Sequence, residues 1–182
     1  MKRVRVSRIV LVGLPGAGKS TVGPLLARAL GFDFIDVDAE IERDTGLDIP
    51  AIFRARGEAG FRDIERLVVE RVMMAEDIVV APGGGWAAQA GAIEGLPDDA
   101  VVVWLQVSVG DATRRLEGET GARPLLDAAD LAARLAEIEG ERLLAYSAAG
   151  IAVDTTDRTP EAVTTDVVAR LHSEYGIDGE SD

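Results

Sequence analysis

The chain has no cysteine and only one histidine among its 182 residues. Without cysteine it can form no disulfide bond, no thiolate metal site and no cysteine nucleophile. The single histidine, His172, falls in the last predicted helix near an acidic tail, where we expect a surface position. A histidine-rich metal site is therefore excluded, and a serine–histidine hydrolase has little support.

The sequence also lacks a long hydrophobic run. No stretch of about 18 apolar residues exists, so no membrane-spanning helix is expected. The N-terminal MKRVRVSR and the IVLVG that follows resemble a secretion signal only faintly, because Gly13 and Pro15 end the apolar run too early. These features predict a cytoplasmic protein.

Lysine is rare, since Lys2 and Lys19 are the only two in the chain. The formal charge is −13, and such a field repels nucleic acid and anionic membranes. Any phosphate that the protein handles must then be held by a local cationic site, which draws attention to Lys19. The hydrophobic content of 47% is sufficient for the core of one globular domain.

Short apolar runs alternate with longer segments of helical periodicity. The near-continuous apolar character of the runs is typical of strands that are buried on two sides. Strand–helix alternation predicts an α/β fold, a five-stranded parallel sheet with helices on both faces. The runs are residues 9–12, 34–35, 78–81, 101–105 and 151–153.

Two segments fit this scheme poorly. Residues 39–60 and 117–127 are rich in charge and glycine, and we interpret both as mobile covers at the mouth of the sheet rather than as core. The C-terminal GIDGESD is interpreted as a solvated tail.

The segment from Gly13 to Ser20 matches the phosphate-binding loop pattern G-x-x-x-x-G-K-[ST] in full. It lies between the first predicted strand and a predicted helix over residues 21–30, which is the context that the motif requires. Its glycines allow backbone N–H groups to surround phosphate oxygens at a helix N-terminus. Lys19 would contact the β- and γ-phosphates, and the Ser20 hydroxyl would coordinate Mg²⁺.

Asp36 and Asp38 directly follow the second strand, at the edge of the sheet where open α/β folds bind ligands. Side-chain alternation in an extended segment would place both on one side. One carboxylate would hold Mg²⁺ through water, and the other would orient or deprotonate a substrate hydroxyl. Alternatively, one of them only caps a helix that starts near Ala39.

Three arginines and a glycine triplet each allow a structural and a functional interpretation. Arg62 pairs with Glu58 one helical turn away or binds a ligand. Arg123 is a solvated loop charge or reaches phosphate when a lid closes. Arg142 continues the apolar stripe of Leu131, Leu135 and Ile138, so it either extends to water or meets an anion. The triplet of residues 83–85 is a flexible turn or lets backbone amides approach a small ligand.

Together these segments resemble the shikimate kinase family, a P-loop group similar to the nucleoside-monophosphate kinases. The resemblance extends from about residue 9 to residue 160 and rests on motifs in order: GLPGAGKST, DVD, GEAGFR, PGGG, ARPLL, RLLAY and VDTTDRTP. It implies ATP-dependent phosphorylation of the 3-hydroxyl of shikimate, in aromatic amino acid biosynthesis. It also implies one P-loop kinase domain over residues 1–176, with a substrate-binding region at 36–66, a lid at 117–127 and an acidic tail at 177–182. We expect a monomer.

The resemblance assigns a role to each matching residue. Catalytic roles fall on Lys19, Asp38 and Arg123. Nucleotide binding falls on Gly16, Ala17, Gly18, Lys19, Ser20, Thr21, Arg115, Arg123, Arg158 and Pro160. Shikimate binding falls on Asp38, Arg62, Gly83, Gly84, Gly85 and Arg142, and Mg²⁺ binding on Ser20 and Asp36.

Two residues and one segment depart from the family pattern. The segment is the stretch between Arg115 and Arg123, which is one residue longer than expected and leaves the lid geometry open. Trp86 follows the glycine triplet where a smaller residue is expected, and it is expected to crowd the substrate pocket, to wall it or to cap the core. Pro24 lies inside the predicted first helix and predicts a kink or a lost hydrogen bond.

Two alternatives to shikimate kinase stay open: a related small-molecule kinase such as a gluconate kinase, and a catalytically silent homologue that binds nucleotide.

Overall fold

Five parallel strands form the centre of the protein. The computed structural model describes residues 5–117 and 130–177. The strand order is β2-β3-β1-β4-β5, and all four pairings are parallel. The strands are β1 Arg8–Val12, β2 Asp33–Asp36, β3 Ile78–Ala81, β4 Ala100–Gln106 and β5 Ile151–Asp154. All five predicted strands are confirmed, each within two residues of its predicted bounds.

Both faces of the central strands are covered. Every residue of β1 and β3 is buried, and successive residues of a strand point to opposite faces. Complete burial therefore requires packing on both sides, as the continuous apolar runs predicted. The edge strand β2 is only half-buried, which explains why its apolar signal was short.

In the described ranges, six α-helices surround the sheet. Side chains of Asp, Ser or Thr cap the N-termini of α2 to α6. The helices are α1 Lys19–Leu30, α2 Val37–Thr45, α3 Ile49–Val72, α4 Val109–Leu116, α5 Leu131–Tyr146 and α6 Pro160–Arg170. A short 3₁₀ turn, Trp86–Ala88, follows β3, and a π turn, Leu171–Tyr175, follows α6.

The interpretation of residues 39–60 as a mobile cover is wrong. Most of this segment is helical, in α2 and the first half of α3, and Ile41 and Ile52 are fully buried in the core. The charges in this segment resemble those of a solvated loop, but they form ion pairs between two helices. Arg71 of α3 contacts both Glu40 and Asp44 of α2. Charge at a helix surface is compatible with a buried opposite face.

Glycine interrupts α3 at one position. Gly57 has φ 68° and ψ −178°, so the helical path breaks there and resumes with GEAGFR. The motif therefore opens the second helical segment of α3.

The first helix continues through Pro24. α1 extends from Lys19 to Leu30, and the ring of Pro24 removes only the N–H that would bond the Ser20 carbonyl. Gly23 allows the helix to pack closely on β2, since a Cβ there would lie 2.2 Å from the Phe34 ring.

The predicted lid, except for Glu117, lies outside the described residues, and so does the tail beyond Ile177. Across the described ranges, none of the helices is both long enough and apolar enough to span a membrane.

Candidate active site

The loop between β1 and α1 has the geometry of an anion site. Gly13, Gly16 and Gly18 all have positive φ, which glycine adopts without strain. Gly18 begins α1 and, in the described part of the chain, no side chain caps this helix. Its N-terminal N–H groups are therefore available to phosphate, unlike those of the other helices. Lys19 Nζ donates to the carbonyls of Gly13 (2.9 Å) and Leu14 (3.2 Å).

A cavity of about 290 Å³ opens in front of this loop. The carboxyl ends of β1, β2 and β3 converge on it, as the rule for open parallel sheets predicts. Ten of the predicted site residues line it: Gly16, Gly18, Lys19, Ser20, Thr21, Asp36, Asp38, Gly83, Gly84 and Arg115.

Asp36 makes two kinds of contact at the end of β2. One carboxylate oxygen accepts from the N–H groups of Asp38 (3.1 Å) and Ala39 (3.4 Å) and so caps α2. The other accepts from the Ser20 hydroxyl at 2.7 Å. The capping interpretation is therefore confirmed for Asp36, and its second oxygen adjoins Ser20, the other residue predicted to bind Mg²⁺.

Asp38 reaches the cavity by a route that the sequence did not predict. Strand alternation was expected to align it with Asp36, but the chain turns into α2 at Val37. Val37 is fully buried, and the helical turn carries Asp38 back toward the cavity. The placement of the pair is confirmed, while the reason given for it is wrong.

The glycine triplet provides space for three charged side chains. A Cβ at Gly83 would lie 2.4 Å from Glu65 Oε1, one at Gly84 would lie 3.3 Å from Arg142 Nη1, and one at Gly85 would lie 2.2 Å from Arg62 Nη2. Any larger residue would displace these groups. The triplet is thus the point at which Glu65, Arg142 and Arg62 approach one another.

Arg62 is held by two carboxylates of its own helix. Its guanidinium contacts Glu58 at 3.3 Å and Glu65 at 2.7 Å, and it lies over the Phe61 ring at 5.2 Å. The predicted pair with Glu58 is present, and the stronger contact is to the fully buried Glu65. The guanidinium still adjoins Gly85, so pairing does not remove it from the site.

Glu65 is the site residue that the sequence interpretation missed. Its signal was an acid at helical spacing from Phe61 and Val68, two residues of a buried stripe. The pKa of the Glu65 carboxyl is raised, and burial is the largest cause. The charge of Asp38 raises it further, whereas Arg62 lowers it. One oxygen accepts from Arg62 and from Gln89, each at 2.7 Å, while Oε1 is buried with no hydrogen-bond partner among the described residues.

Arg142 does not extend to water. Its residue exposure is 8%, and it lies on the buried face of α5 between Ile138 and Tyr146. Within residues 5–117 and 130–177 it has no ion pair with a carboxylate. The Tyr146 hydroxyl donates to the Gly84 carbonyl at 2.5 Å and fixes the turn next to this guanidinium. A buried arginine without an acidic partner favours an anionic ligand.

A second cleft, of about 140 Å³, adjoins the phosphate loop. Arg115 lines both cavities and donates to the carbonyls of Gly16 (3.1 Å) and Thr155 (2.6 Å). The buried Asp111 holds Arg115 at 2.5 Å and also accepts from the N–H of Asp157. The residues predicted to border the adenine are brought together here, since this cleft is lined by Ala17, Gly18, Thr21, Arg115, Arg158 and Pro160.

Trp86 does not crowd the cavity in front of the phosphate loop. It is 3% exposed and lines a separate cavity of about 300 Å³ with Val69 and Met73. Its side chain therefore packs behind the glycine triplet. Arg123 lies outside the described residues, and His172 is exposed in the π turn as expected.

The donor set at Ser20 and Asp36 suits Mg²⁺. A hydroxyl and a carboxylate are hard oxygen ligands, and they adjoin the phosphate loop. No group of three or more His, Cys, Asp or Glu side chains in the described ranges could hold a metal by itself. An ion here would need nucleotide oxygens and water to complete its ligands, which is how proteins commonly bind Mg²⁺.

Comparison with known proteins agrees with this geometry. The family model described as shikimate kinase matches residues 15–172. The shikimate kinase of Mycobacterium avium (strain 104) is 44% identical over 165 residues, which cover 90% of this chain and 93% of that one. The structure of shikimate kinase from Acinetobacter baumannii in complex with shikimate has a TM-score of 0.88 at 34% identity and covers 93% of this chain and 95% of that one.

A gluconokinase structure from Sinorhizobium meliloti 1021 is more distant. Its TM-score is 0.62 at 20% identity, and the match covers 94% of this chain and 95% of that one. At this identity the likeness shows a shared fold alone. The family model that matches residues 15–172, together with a relative that is 44% identical over 90% of the chain, shows that this chain belongs to the shikimate kinase family.

Proposed function

We propose that the protein transfers the γ-phosphoryl group of ATP to the 3-hydroxyl of shikimate and releases ADP and shikimate 3-phosphate. The observation that carries this proposal is Arg142, which is buried, lacks an acidic partner among the described residues and adjoins Gly84. A buried cation of this kind requires an anion, and the substrate carboxylate supplies one. The relative from Acinetobacter baumannii, whose structure contains shikimate, supports the same substrate.

The phosphate loop binds and orients the nucleotide. N–H groups at the start of α1 receive the phosphate oxygens, and Lys19 leaves the loop carbonyls to contact the β- and γ-phosphates. Ser20 and Asp36 would hold Mg²⁺, which when bound neutralises charge on the phosphates. Arg115, Arg158 and Pro160 border the base in the adjoining cleft.

Asp38 acts on the acceptor hydroxyl. It lines the cavity that also contains Lys19, so a hydroxyl bound to it would face the γ-phosphoryl group. Asp38 orients this hydroxyl or accepts its proton as the oxygen bonds to phosphorus and ADP departs. Alignment and charge neutralisation then account for most of the rate enhancement.

Arg62 and Arg142 grip the shikimate carboxylate. Both guanidinium groups adjoin the glycine triplet from different helices, α3 and α5. The planar fork of arginine suits two-point contact with a carboxylate. Because the chain carries a formal charge of −13, this local pair must supply the attraction that the overall field does not.

The monomeric state stays a prediction. The phosphate-contacting role of Arg123 and the location in the cytoplasm stay predictions from the sequence.

A coupled assay of ADP release tests the proposal. The purified protein is given ATP and Mg²⁺ with shikimate, quinate or gluconate, and the product is identified by mass spectrometry. We expect efficient turnover of shikimate only. Higher kcat/KM for quinate or gluconate would overturn the substrate assignment, and ADP release without an acceptor would indicate a simple ATPase.

A further inference from the structure

Gln89 is a side chain that the proposed mechanism does not use. It directly follows the 3₁₀ turn after the glycine triplet and is half-buried. Its Nε2 donates to Glu65 Oε2 at 2.7 Å. The same oxygen accepts from Arg62 Nη1 at 2.7 Å. One carboxylate oxygen of Glu65 therefore joins Gln89 to Arg62, one of the two arginines proposed to bind the substrate carboxylate.

The backbone links Gln89 to the glycine triplet as well. The N–H of Gln89 donates to the Trp86 carbonyl, and the N–H of Trp86 donates to the Gly83 carbonyl, each at 3.0 Å. The Trp86 ring is buried behind the turn against α3. Turn and side chain form one rigid connection between the end of β3 and Glu65.

A buried carboxylate such as that of Glu65 requires hydrogen-bond donors. The Glu65 side chain has no solvent exposure, so water does not replace a lost hydrogen bond easily. The groups that face it are Arg62 from its own helix, Asp38 from α2 and Gln89 from the turn. Arg62 and Gln89 favour its charged form, whereas Asp38 and burial oppose it.

We propose that Gln89 is a positioning residue for substrate binding, because its amide fixes the Glu65 carboxylate that in turn orients Arg62 toward the substrate carboxylate. The inference rests on the proposed function, since it assigns Arg62 to shikimate. It predicts that loss of the amide weakens shikimate binding without altering the nucleotide site.

The test replaces Gln89 by methionine, which keeps the side-chain length and removes the amide. Gln106→Met is the matched control, because it makes the same change at the end of β4, where, in the described residues, the side chain is hydrogen-bonded to neither Glu65 nor Arg62. Calorimetric titration with shikimate should give a Kd roughly fivefold to tenfold higher for Gln89→Met than for wild type. The KM for ATP should stay within about twofold, and the control should bind shikimate like wild type.

Two further measurements separate positioning from a general structural effect. In a Glu65→Gln background, Gln89→Met should add little, since Gln89 acts through Glu65. The acid limb of the kcat/KM profile for shikimate should move to higher pH in Gln89→Met, because Glu65 loses a donor that lowers its pKa. Gln89→Ala repeats the test if the methionine variant is poorly folded by thermal melting.

The outcomes distinguish this inference from the proposed function. If wild type binds and phosphorylates shikimate while Gln89→Met and Gln89→Ala bind it equally well, the inference is wrong and the function stands. Additive losses in the double variant would also overturn it. A wild-type protein that does not bind shikimate would instead overturn the function on which it rests.

Discussion

At Asp36 and Arg62, single side chains combine a local structural contact with a place in the site. Asp36 caps α2 with one oxygen and accepts from Ser20 with the other. Arg62 pairs with Glu58 one turn away and still adjoins Gly85. A carboxylate or a guanidinium has several hydrogen-bonding positions, so a helix-surface contact leaves others for a ligand. A structural explanation of such residues does not compete with a functional one.

The two aspartates should respond differently to neutralisation. Asp38→Asn should lower kcat or weaken shikimate binding while leaving ATP binding intact, because Asp38 is proposed to face the acceptor hydroxyl. Asp36→Asn should mainly raise the Mg²⁺ concentration needed for activity, since its oxygen adjoins Ser20. Initial rates over a Mg²⁺ series measure both effects. The same Mg²⁺ dependence in the two variants would contradict this division of roles.

Removal of Arg142 should reduce affinity for the substrate carboxylate. A charge-assisted hydrogen bond is worth about 1.5–3 kcal/mol, so Arg142→Ala should raise the shikimate KM roughly tenfold or more. Arg142→Lys should restore it only in part, because a point charge lacks the two-point geometry. The KM for ATP should change little.

Shikimate methyl ester is the control for this prediction, because it lacks the carboxylate charge. Arg142→Ala should raise the KM for shikimate far more than the KM for the ester. An equal rise of both KM values would mean that Arg142 supports the structure only.

At the scale of elements, turns and helix starts bring the charged groups together. The break at Gly57 allows α3 to resume with Arg62 and Glu65 directed at the end of β3. The triplet after β3 then accommodates them without a Cβ clash. The position of the site at the carboxyl ends of the strands follows from the parallel sheet, whereas the approach of α3 and α5 to the triplet is specific to this packing.

The start of α4 should influence the nucleotide cleft. Asp111 is buried and holds Arg115, which contacts both the phosphate loop and Thr155. Asp111→Asn should raise the KM for ATP roughly fivefold to tenfold and leave that for shikimate nearly unchanged, because a charged contact to Arg115 is lost. Initial rates with each substrate varied give both constants.

Arg114 supplies the matched comparison for this prediction. Arg114 also pairs with Asp111, but its side chain is 61% exposed and lines neither cavity. Arg114→Gln should therefore leave the KM for ATP close to the wild-type value. An equal rise of both constants in Asp111→Asn would indicate general destabilisation instead.

The fold was predictable where its signal is local. Each strand was found from its own apolar run, even the half-buried β2, although there only two of its four residues were identified. A helix starting near Ala39 was only one alternative, and residues 39–60 were interpreted as a cover because surface charge hid the buried Ile41 and Ile52. Glu65 was missed for a related reason: an acid on an apolar stripe is identified only when its partners, Arg62 and Gln89, are seen around it.

At the scale of the whole molecule, the end of the sheet opposite the site is held by a small polar cluster. Ser7 and Arg8 both donate to the Asp99 carboxylate, and Arg8 Nε donates to the Met73 carbonyl at 2.8 Å. Arg8 is 8% exposed, so this cluster joins β1 to the start of β4 and to the end of α3 in a partly buried setting. The hydrogen bond from Ser7 and the charge of Arg8 lower the pKa of Asp99.

This cluster should stabilise the fold at neutral pH and should lose this stabilising effect in acid. Because the Asp99 pKa is lower in the folded state, its stabilisation is present above the ordinary value of 3.8 and is lost as the pH falls through the folded value. Asp99→Asn should therefore unfold at lower urea concentration than wild type at neutral pH, and the difference should shrink in acid.

Asp98→Asn is the control for this measurement, since Asp98 is the exposed neighbour of Asp99. It should unfold like wild type across the same pH range. A gap between Asp99→Asn and wild type that stays constant into acid would show that the charge of Asp99 is not the cause.

The sequence by itself determined the parallel α/β fold, the phosphate loop and the family, because each rests on residues that are contiguous or regularly spaced. Only the tertiary structure decided which groups meet across the chain. Arg115 contacts the Gly16 carbonyl, 99 positions away, and the triplet adjoins side chains of both α3 and α5. Such contacts depend on how helices pack on the sheet, and packing is set by the shapes of side chains far apart in sequence. For that reason Trp86 could be located behind the triplet, and Gln89 joined to Glu65, only once the chain was folded.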